Sequence, residues 1–461
     1  MSASRHAALD YAHTQTDRFL QELNELLRIP SISTSPDHAS HMQEAAQWLA
    51  SHLLASGLEK AEIFQTAGHP VVYGEWLKAG AGAPTVLIYG HYDVQPVDPL
   101  DLWKTGPFEP QVRGDNLHAR GASDMKGQII ATLKAVEAVI KQTDNPGVNI
   151  KYLLEGEEEI GSPHLAGFMA EHKELLACDF ALNPDAGMIS PDIPAIVYGL
   201  RGLAYFEVYI YGPDHDLHSG SFGGVIHNPA VALCELIAGM HDAQGRVQLP
   251  GFYDRVRAVS VEERAQLARL PIEDETYRRL TGAPALWGEP DYSSVERVSI
   301  RPTLEVNGML SGFTGAGSKT IIPAWAMAKI STRLVADQQI EEVHQQLIEY
   351  FKQNAPKTVR WEIRNLGGGP ACRTDPKLPA TQALVSAQQT VWGVAPMYKC
   401  EGGSIPIVAD MQHILGVDSV LTGLSLPDDA VHSPNEKLHL PTWRRGIDAY
   451  IHFFYNLAET L

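Results

Sequence analysis

"PTVLIYGHYDV", residues 84–94, is a short apolar run rich in Val, Ile and Tyr, bounded by Pro and Gly and ending in a histidine and an aspartate. Its composition reads as a buried strand. In "MKGQIIATLKAVEAVIK" (125–141), Ile129, Ile130, Leu133, Val136, Ala138 and Ile140 recur at helical spacing and make a broad buried face. "VNIKYLL" (148–154) is again a strand. Parallel neighbours need a crossover of this kind, so the stretch predicts an α/β fold with a mostly parallel sheet covered by helices.

Outward from that unit the pattern holds on both sides and then breaks. The N-terminal "MSASRHAALDYAHTQTDRFLQELNELLRIPSIS" reads as an amphipathic helix with no apolar signal-like core. Near residue 200, "GLAYFEVYIYG" (202–212) is a longer aromatic and β-branched run, typical of an antiparallel sheet. A helix around "NPAVALCELIAGM" (228–240) follows, then a polar, Pro-rich stretch to about residue 300. A strand pair around 321–336, a helix at 340–353 and a strand at 358–367 complete a second, α+β region. Helical spacing returns at 379–393 and in the C-terminal "RRGIDAYIHFFYNLAETL", where Ile447, Ile451, Phe454 and Leu461 are spaced to face a core. The expected plan is a domain of residues 1–199 and 373–461 interrupted by an insertion of residues 200–372.

Composition narrows the functional classes. With 36 Lys and Arg against 55 Asp and Glu, the net charge of −19 argues against nucleic acid or an anionic membrane as partner and suits a protein that collects cations. No run of about 18 apolar residues offers a transmembrane span. The four cysteines, Cys178, Cys234, Cys372 and Cys400, are far apart and form no C-x-x-C pair. Reduced thiols and a cytoplasmic location are expected.

Polar groups gather where strands should end. His91 and Asp93 close the first strand, Asp124 lies in a Gly-rich turn entering a helix, and Glu157, Glu158 and Glu159 follow the strand at 148–154. Asp185 lies after the apolar "FAL", and His432 is far downstream. Singly these have commoner roles: Asp124 would cap a helix, and a glutamate triplet would sit in water. Together, at the carboxyl ends of strands, they make a donor set for a divalent ion, zinc above all. Residues two apart in a strand share a face, so Asp93 can hold His91 by its second ring nitrogen.

The segments "GHYDVQP", "RGASDMKG", "EGEEEIGSP", "NPDAG", "HSGSFGG" and "HSPNE" occur in this order between residues 90 and 436. As an ordered set they resemble the M20 family of metallopeptidases, and within it the carnosinase-like dipeptidase branch. The resemblance implies a zinc-peptidase-like catalytic domain with an inserted lid and dimerisation domain, and two zinc ions per chain, a set that manganese or cobalt could also occupy. It implies that Asp124 bridges the ions, that His91 and Asp185 complete one, and that Glu159 and His432 complete the other. Glu158 would be the general base and acid of a metal-activated water, with Asp93 orienting.

In the insertion, the resemblance implies that His218 stabilises the oxyanion from across a homodimer and that Arg333, Gly402, Gly403 and Ser404 bind a substrate carboxylate. Two positions depart from the dipeptidase pattern: Met125 stands where a second Asp is common, and Glu157 has no assigned role and is expected to be solvated. The expected activity is hydrolysis of dipeptides or small peptides. An N-acyl amino acid deacylase or desuccinylase of the same family and a non-catalytic metal- or peptide-binding relative are the alternatives.

Overall fold

The computed structural model describes residues 3–143, 146–403 and 405–460, and the chain divides into two compact units. The first comprises Met1–Tyr198, Thr374–Lys399 and Ile407–Leu461, and the second Gly199–Arg373 and Cys400–Pro406. Residues 400–406, which sequence reading left with the C-terminal segment, belong to the second unit. There the Arg201 backbone N–H donates to Glu401 O (3.3 Å) and its Nε donates to Gly402 O (3.2 Å). Among the described residues, no helix is long and apolar enough to cross a membrane.

The first unit is built on a twisted sheet whose strands run Lys60–Phe64, Val71–Trp76, Asn149–Glu155, Thr85–His91, Phe180–Asn183, Ser419–Leu421 and Ala195–Leu200 in spatial order. The four from Asn149–Glu155 to Ser419–Leu421 are mutually parallel, and the pairs outside them are antiparallel. The sheet is thus mixed, parallel at its centre and antiparallel at its edges. Only six residues separate Lys60–Phe64 from Val71–Trp76, too few for a crossover, so those two form a hairpin.

Helix Lys126–Gln142 follows the strand Thr85–His91 and is buried almost all round, from Lys126 to Val139. The strand contributes one side of its environment; helices Ala3–Thr14, Thr16–Leu27 and Leu440–Thr460 contribute the others. Ile447, Ile451 and Phe454 of the last helix are buried, whereas Leu461 lies outside the described residues.

Polar side chains on an enclosed helix must be paired. Glu137 meets Arg18, Lys134 (2.9 Å), Lys141 (3.3 Å), Tyr11 Oη (2.8 Å) and Ser56 Oγ (3.2 Å). Opposed by burial, the Lys134 charge and the hydrogen bonds from Arg18, Lys134 and Tyr11 hold the Glu137 carboxyl down at about 2, against an ordinary 4.5. A depressed carboxyl contributes stability that is present above its unfolded value and lost as pH falls toward the folded one. Glu137→Gln should therefore cost about 3 kcal/mol in chemical denaturation at pH 7. That difference from wild type should hold above pH 4.5 and shrink as the pH is lowered toward 2.

The second unit contains a four-stranded antiparallel sheet in the order Thr303–Ser311, Trp325–Leu334, Gly202–Tyr211, Arg360–Gly369. Burial alternates residue by residue along Gly202–Tyr211 and Trp325–Leu334. One face carries Phe206, Val208, Ile210, Ala328 and Ile330, which pack with Leu236, Leu347 and Phe351 of helices Pro229–Ala238 and Ile340–Asn354. The helix Pro229–Ala238 starts where sequence reading expects it, because Asn228 Oδ1 accepts from Ala230 N (2.9 Å) and Pro229 occupies the first turn. Strand Thr303–Ser311 and the short helices Val261–Leu267, Asp274–Thr281 and Ser294–Ser299 have no counterpart in the sequence reading.

Candidate metal centre

Five segments of the first unit deliver the expected donors to one place. Strand Thr85–His91 ends in His91, and the turn before helix Lys126–Gln142 carries Asp124. The single 3-10 turn Glu158–Ile160 holds Glu158 and Glu159, and Asp185 follows strand Phe180–Asn183. The loop before strand Lys437–His439 supplies His432.

Asp124 lies between two groups. Its Oδ1 is 3.0 Å from His91 Nε2, which in turn lies 3.8 Å from Asp185 Oδ2. Its Oδ2 is 2.9 Å from His432 Nε2, which lies 3.2 Å from Glu159 Oε2. Ligand atoms of His91, Asp124 and Glu159 all fall within 4.8 Å of one another. Two imidazoles and two carboxylates around one shared carboxylate are a donor set for a hard-to-borderline divalent ion, and the residues present fit such an ion.

The protonation balance points the same way. Burial pushes the Glu158 carboxyl up to about 9, opposed by His91 and reinforced by the charges of Asp185, Asp124 and Glu159. Hydrogen bonds to Asp124 and Glu159 push His432 up to about 10. Against its burial, hydrogen bonds from His432 and His91 hold Asp124 below the usual carboxylate range. Without a cation, protons supply the positive charge this cluster requires; a divalent ion inverts that balance.

Asp93 stands at the second ring nitrogen of His91, on the side its spacing suggested. His91 Nδ1 lies 3.1 Å from the Asp93 carbonyl oxygen and 3.4 Å from Oδ1. The carboxylate also accepts the backbone N–H groups of Glu158 (3.2 Å) and Glu159 (3.1 Å), so it fastens the glutamate turn to the histidine strand. Glu157 is buried rather than solvated: its carboxylate accepts from His69 N (3.0 Å) and lies 2.9 Å from His164 Nδ1. Strand alternation stops at Glu155, and the turn that follows directs Glu157 into the protein.

Three supporting residues carried no assigned role in the sequence. Glu436, fully buried, accepts Ser123 N (2.9 Å) and Asp124 N (3.1 Å) on Oε1, and Gly121 N (3.0 Å) and Arg120 Nη1 (2.7 Å) on Oε2. It therefore holds the whole Asp124 turn. Gly121 has φ +81°, and a Cβ there would lie 2.7 Å from Val94 Cγ1, so only glycine suits this position. Gln95 Nε2 donates to Glu159 Oε2 (2.8 Å). Glu436 closes the segment "HSPNE", which is the one signal that could have marked it.

The His432 loop is strained, with Ala430, His432 and Asn435 at φ +55°, +61° and +66°. Asn435 anchors it by accepting from Lys104 N (2.8 Å) and donating to Leu102 O (2.8 Å). Glu436→Gln should weaken divalent-ion binding roughly 10–100-fold, as loss of an outer hydrogen-bond partner does. Calorimetric titration of the metal-free protein measures this directly; unchanged affinity would reduce Glu436 to a folding role.

The remaining candidates lie in the second unit. His218 is exposed on the strand Leu217–His218, where its Nδ1 accepts from Gly220 N (3.0 Å). Arg333 stands on strand Trp325–Leu334 opposite Thr303 and Leu203. It lines a cleft of about 350 Å³ together with Arg201, His241, Trp287 and Glu305. Gly402 and Gly403 follow strand Met397–Glu401, and Ser404 lies outside the described residues.

A helix-covered sheet whose strand ends gather two histidines around a shared carboxylate defines a metal-dependent hydrolase. The family model for peptidase family M20/M25/M40 matches residues 87–456. The chain is 31% identical to the Cys-Gly metallodipeptidase DUG1 of Candida albicans over 461 residues, covering 95% of this chain and 94% of that protein. It is 30% identical to the human Beta-Ala-His dipeptidase, covering 97% and 92%. The crystal structure of the M20 family metallo-carboxypeptidase Sso-CP2 from Sulfolobus solfataricus superposes with a TM-score of 0.84 at 33% identity, covering 96% of this chain and 99% of that one. The chain belongs to peptidase family M20/M25/M40.

Proposed function

We propose that this protein is a metallodipeptidase that hydrolyses the amide bond of dipeptides or small peptides with a free C-terminal carboxylate. The observation that carries the reading is Asp124, whose two oxygens each face a histidine, at 3.0 and 2.9 Å. We assign two divalent ions per chain, zinc first and manganese or cobalt as alternatives. One would be held by His91, Asp185 and Asp124, the other by His432, Glu159 and the same Asp124. The names of the relatives, a Cys-Gly metallodipeptidase and a Beta-Ala-His dipeptidase, support the substrate class.

When bound, the ions supply Lewis acidity toward the scissile carbonyl and a lowered pKa for a coordinated water. The protein residues do the rest. Glu158 takes the proton of the attacking water and delivers it to the leaving amine. Asp93 keeps the Glu158–Glu159 turn against His91, so base and ligands move as one piece. Arg333, Gly402, Gly403 and Ser404 are assigned to the substrate carboxylate, a role that suits a guanidinium fork. His218 is assigned to the oxyanion, reaching it from the other subunit of a homodimer.

The inserted unit, residues 200–372, is assigned as lid and dimerisation element, with residues 1–199 and 373–461 carrying the catalysis. An exposed edge supports the dimer: strand Thr303–Ser311 closes one side of its sheet, with Met309 51% and Leu310 45% exposed. Sedimentation equilibrium giving a monomer at micromolar concentration would remove that part of the proposal. The −19 charge and scattered cysteines support a cytoplasmic location, tested by fractionation.

The deciding experiment is a panel of dipeptides against N-acyl amino acids on metal-free protein reconstituted with each ion. Turnover of dipeptides alone upholds the proposal, and turnover of acyl amino acids alone replaces it with a deacylase. Binding without hydrolysis of either would make the chain a metal-binding relative, for which Glu158 has no use.

A further inference from the structure

The half-buried side chain of Arg201 reaches the turn at residues 401–403. Arg201 begins the segment that becomes strand Gly202–Tyr211, and its Nε donates to Gly402 O (3.2 Å). Its Nη1 donates to Arg297 O (3.4 Å) and Arg301 O (3.3 Å) at the end of helix Ser294–Ser299. A single guanidinium therefore ties that helix end to the turn. The joint is tight, because a Cβ on Gly402 would lie 2.6 Å from Val298 O and 2.8 Å from Arg201 Nη2.

Arg201 is also a neighbour of Arg333. Arg333 pairs across the sheet with Leu203, two residues beyond Arg201, and with Thr303 on its other side. Glu305, two residues along from Thr303, shares that face. Arg201, Arg333, Thr303 and Glu305 line the same cleft of about 350 Å³. Burial, and then the Arg333 charge, push the Arg201 guanidinium down to about 10, with Glu305 opposing. With Arg297, Arg301 and Glu289 also in its lining, the cleft sets four arginines against two glutamates, which leaves it able to accept an anion.

We propose that Arg201 is the positioning residue of the anion subsite: it locks the 401–403 turn beside Arg333, so that both present donors to the C-terminal carboxylate of a peptide. This rests on the dipeptidase reading above for the identity of the anion. Arg333 is the group that touches the carboxylate; Arg201 acts through the turn and through the field it shares with Arg333.

The test compares metal-loaded wild type, Arg201→Met, Arg201→Lys and Gly402→Ala on a dipeptide and on the same dipeptide with an amidated C-terminus. Arg201→Met should raise KM for the acid roughly tenfold and leave kcat within about threefold. KM for the amide should stay unchanged, so the acid-over-amide preference collapses. Arg201→Lys should recover part of that preference, and Gly402→Ala, which displaces the same joint, should reproduce the loss. A purely structural role would instead raise both KM values together or lower kcat, and either result overturns the proposal, as does no change. Where Arg201→Met does not fold, the Lys variant and Gly402→Ala decide the matter.

Calorimetric binding of leucine and leucinamide to metal-free protein separates this inference from the dipeptidase reading. Wild type should prefer the acid and Arg201→Lys should prefer it less, even where no dipeptide is hydrolysed. Equal preference in both proteins overturns the role of Arg201.

Discussion

Glu158→Gln is expected to lose about 10²–10⁴-fold in kcat on a dipeptide while binding as much metal as wild type. The substitution keeps the shape of the side chain and removes its ability to carry a proton. Glu158 stands next to the donor Glu159 in a turn pinned by Asp93, whose oxygens accept both backbone N–H groups. In the metal-free protein, burial and the surrounding carboxylates push its carboxyl up to about 9, so it is protonated at neutral pH. Cations in the neighbouring donor set would favour the ionised form, which makes the base competent only when the site is loaded. Glu158→Gln with near-normal turnover would sink the assignment of the base. Parallel loss of metal and activity would instead make Glu158 a ligand.

Asp124→Ala should abolish activity and weaken divalent-ion binding by more than the roughly 10–100-fold that loss of an outer partner costs. The reason is that one residue serves both halves of the cluster, through Oδ1 to His91 and Oδ2 to His432. Elemental analysis after dialysis should fall from two ions per chain in wild type to fewer than one in the variant. Two retained ions would show that Asp124 is not the bridge.

Proton release gives a second measure. His432 is pushed up to about 10, chiefly by its hydrogen bond to Asp124 and then by that to Glu159, so at pH 7 it carries a proton that a metal must displace. Binding enthalpies compared in buffers of different ionisation heat should show this release in wild type. The release should be smaller in Asp124→Ala, where the main cause of the raised pKa is gone.

The sequence alone determined the βαβ core and the residues from which a metal centre could be built. Periodicity of 2 and of 3.6 is a local property, so strand Thr85–His91, helix Lys126–Gln142 and strand Asn149–Glu155 are readable from their own residues. His91, Asp124 and Glu159 sit at or just beyond the ends of those elements, where an open α/β sheet binds its ligands. Strand Thr303–Ser311 stayed hidden because only Leu304 along it is buried, which leaves no apolar alternation to detect.

Tertiary structure decided what depends on partners distant in the chain. Glu157 finds His69, 88 residues away, and becomes a buried anchor instead of a solvated charge. Glu436 reaches back 312 residues to the Asp124 backbone, and Arg201 forward 201 residues to Gly402. Pairing direction at the sheet edges was likewise set by the folded sheet. Local spacing names the groups that can do chemistry. Which of them meet, and what holds them there, follows from desolvation and hydrogen bonding between segments that only the fold brings together.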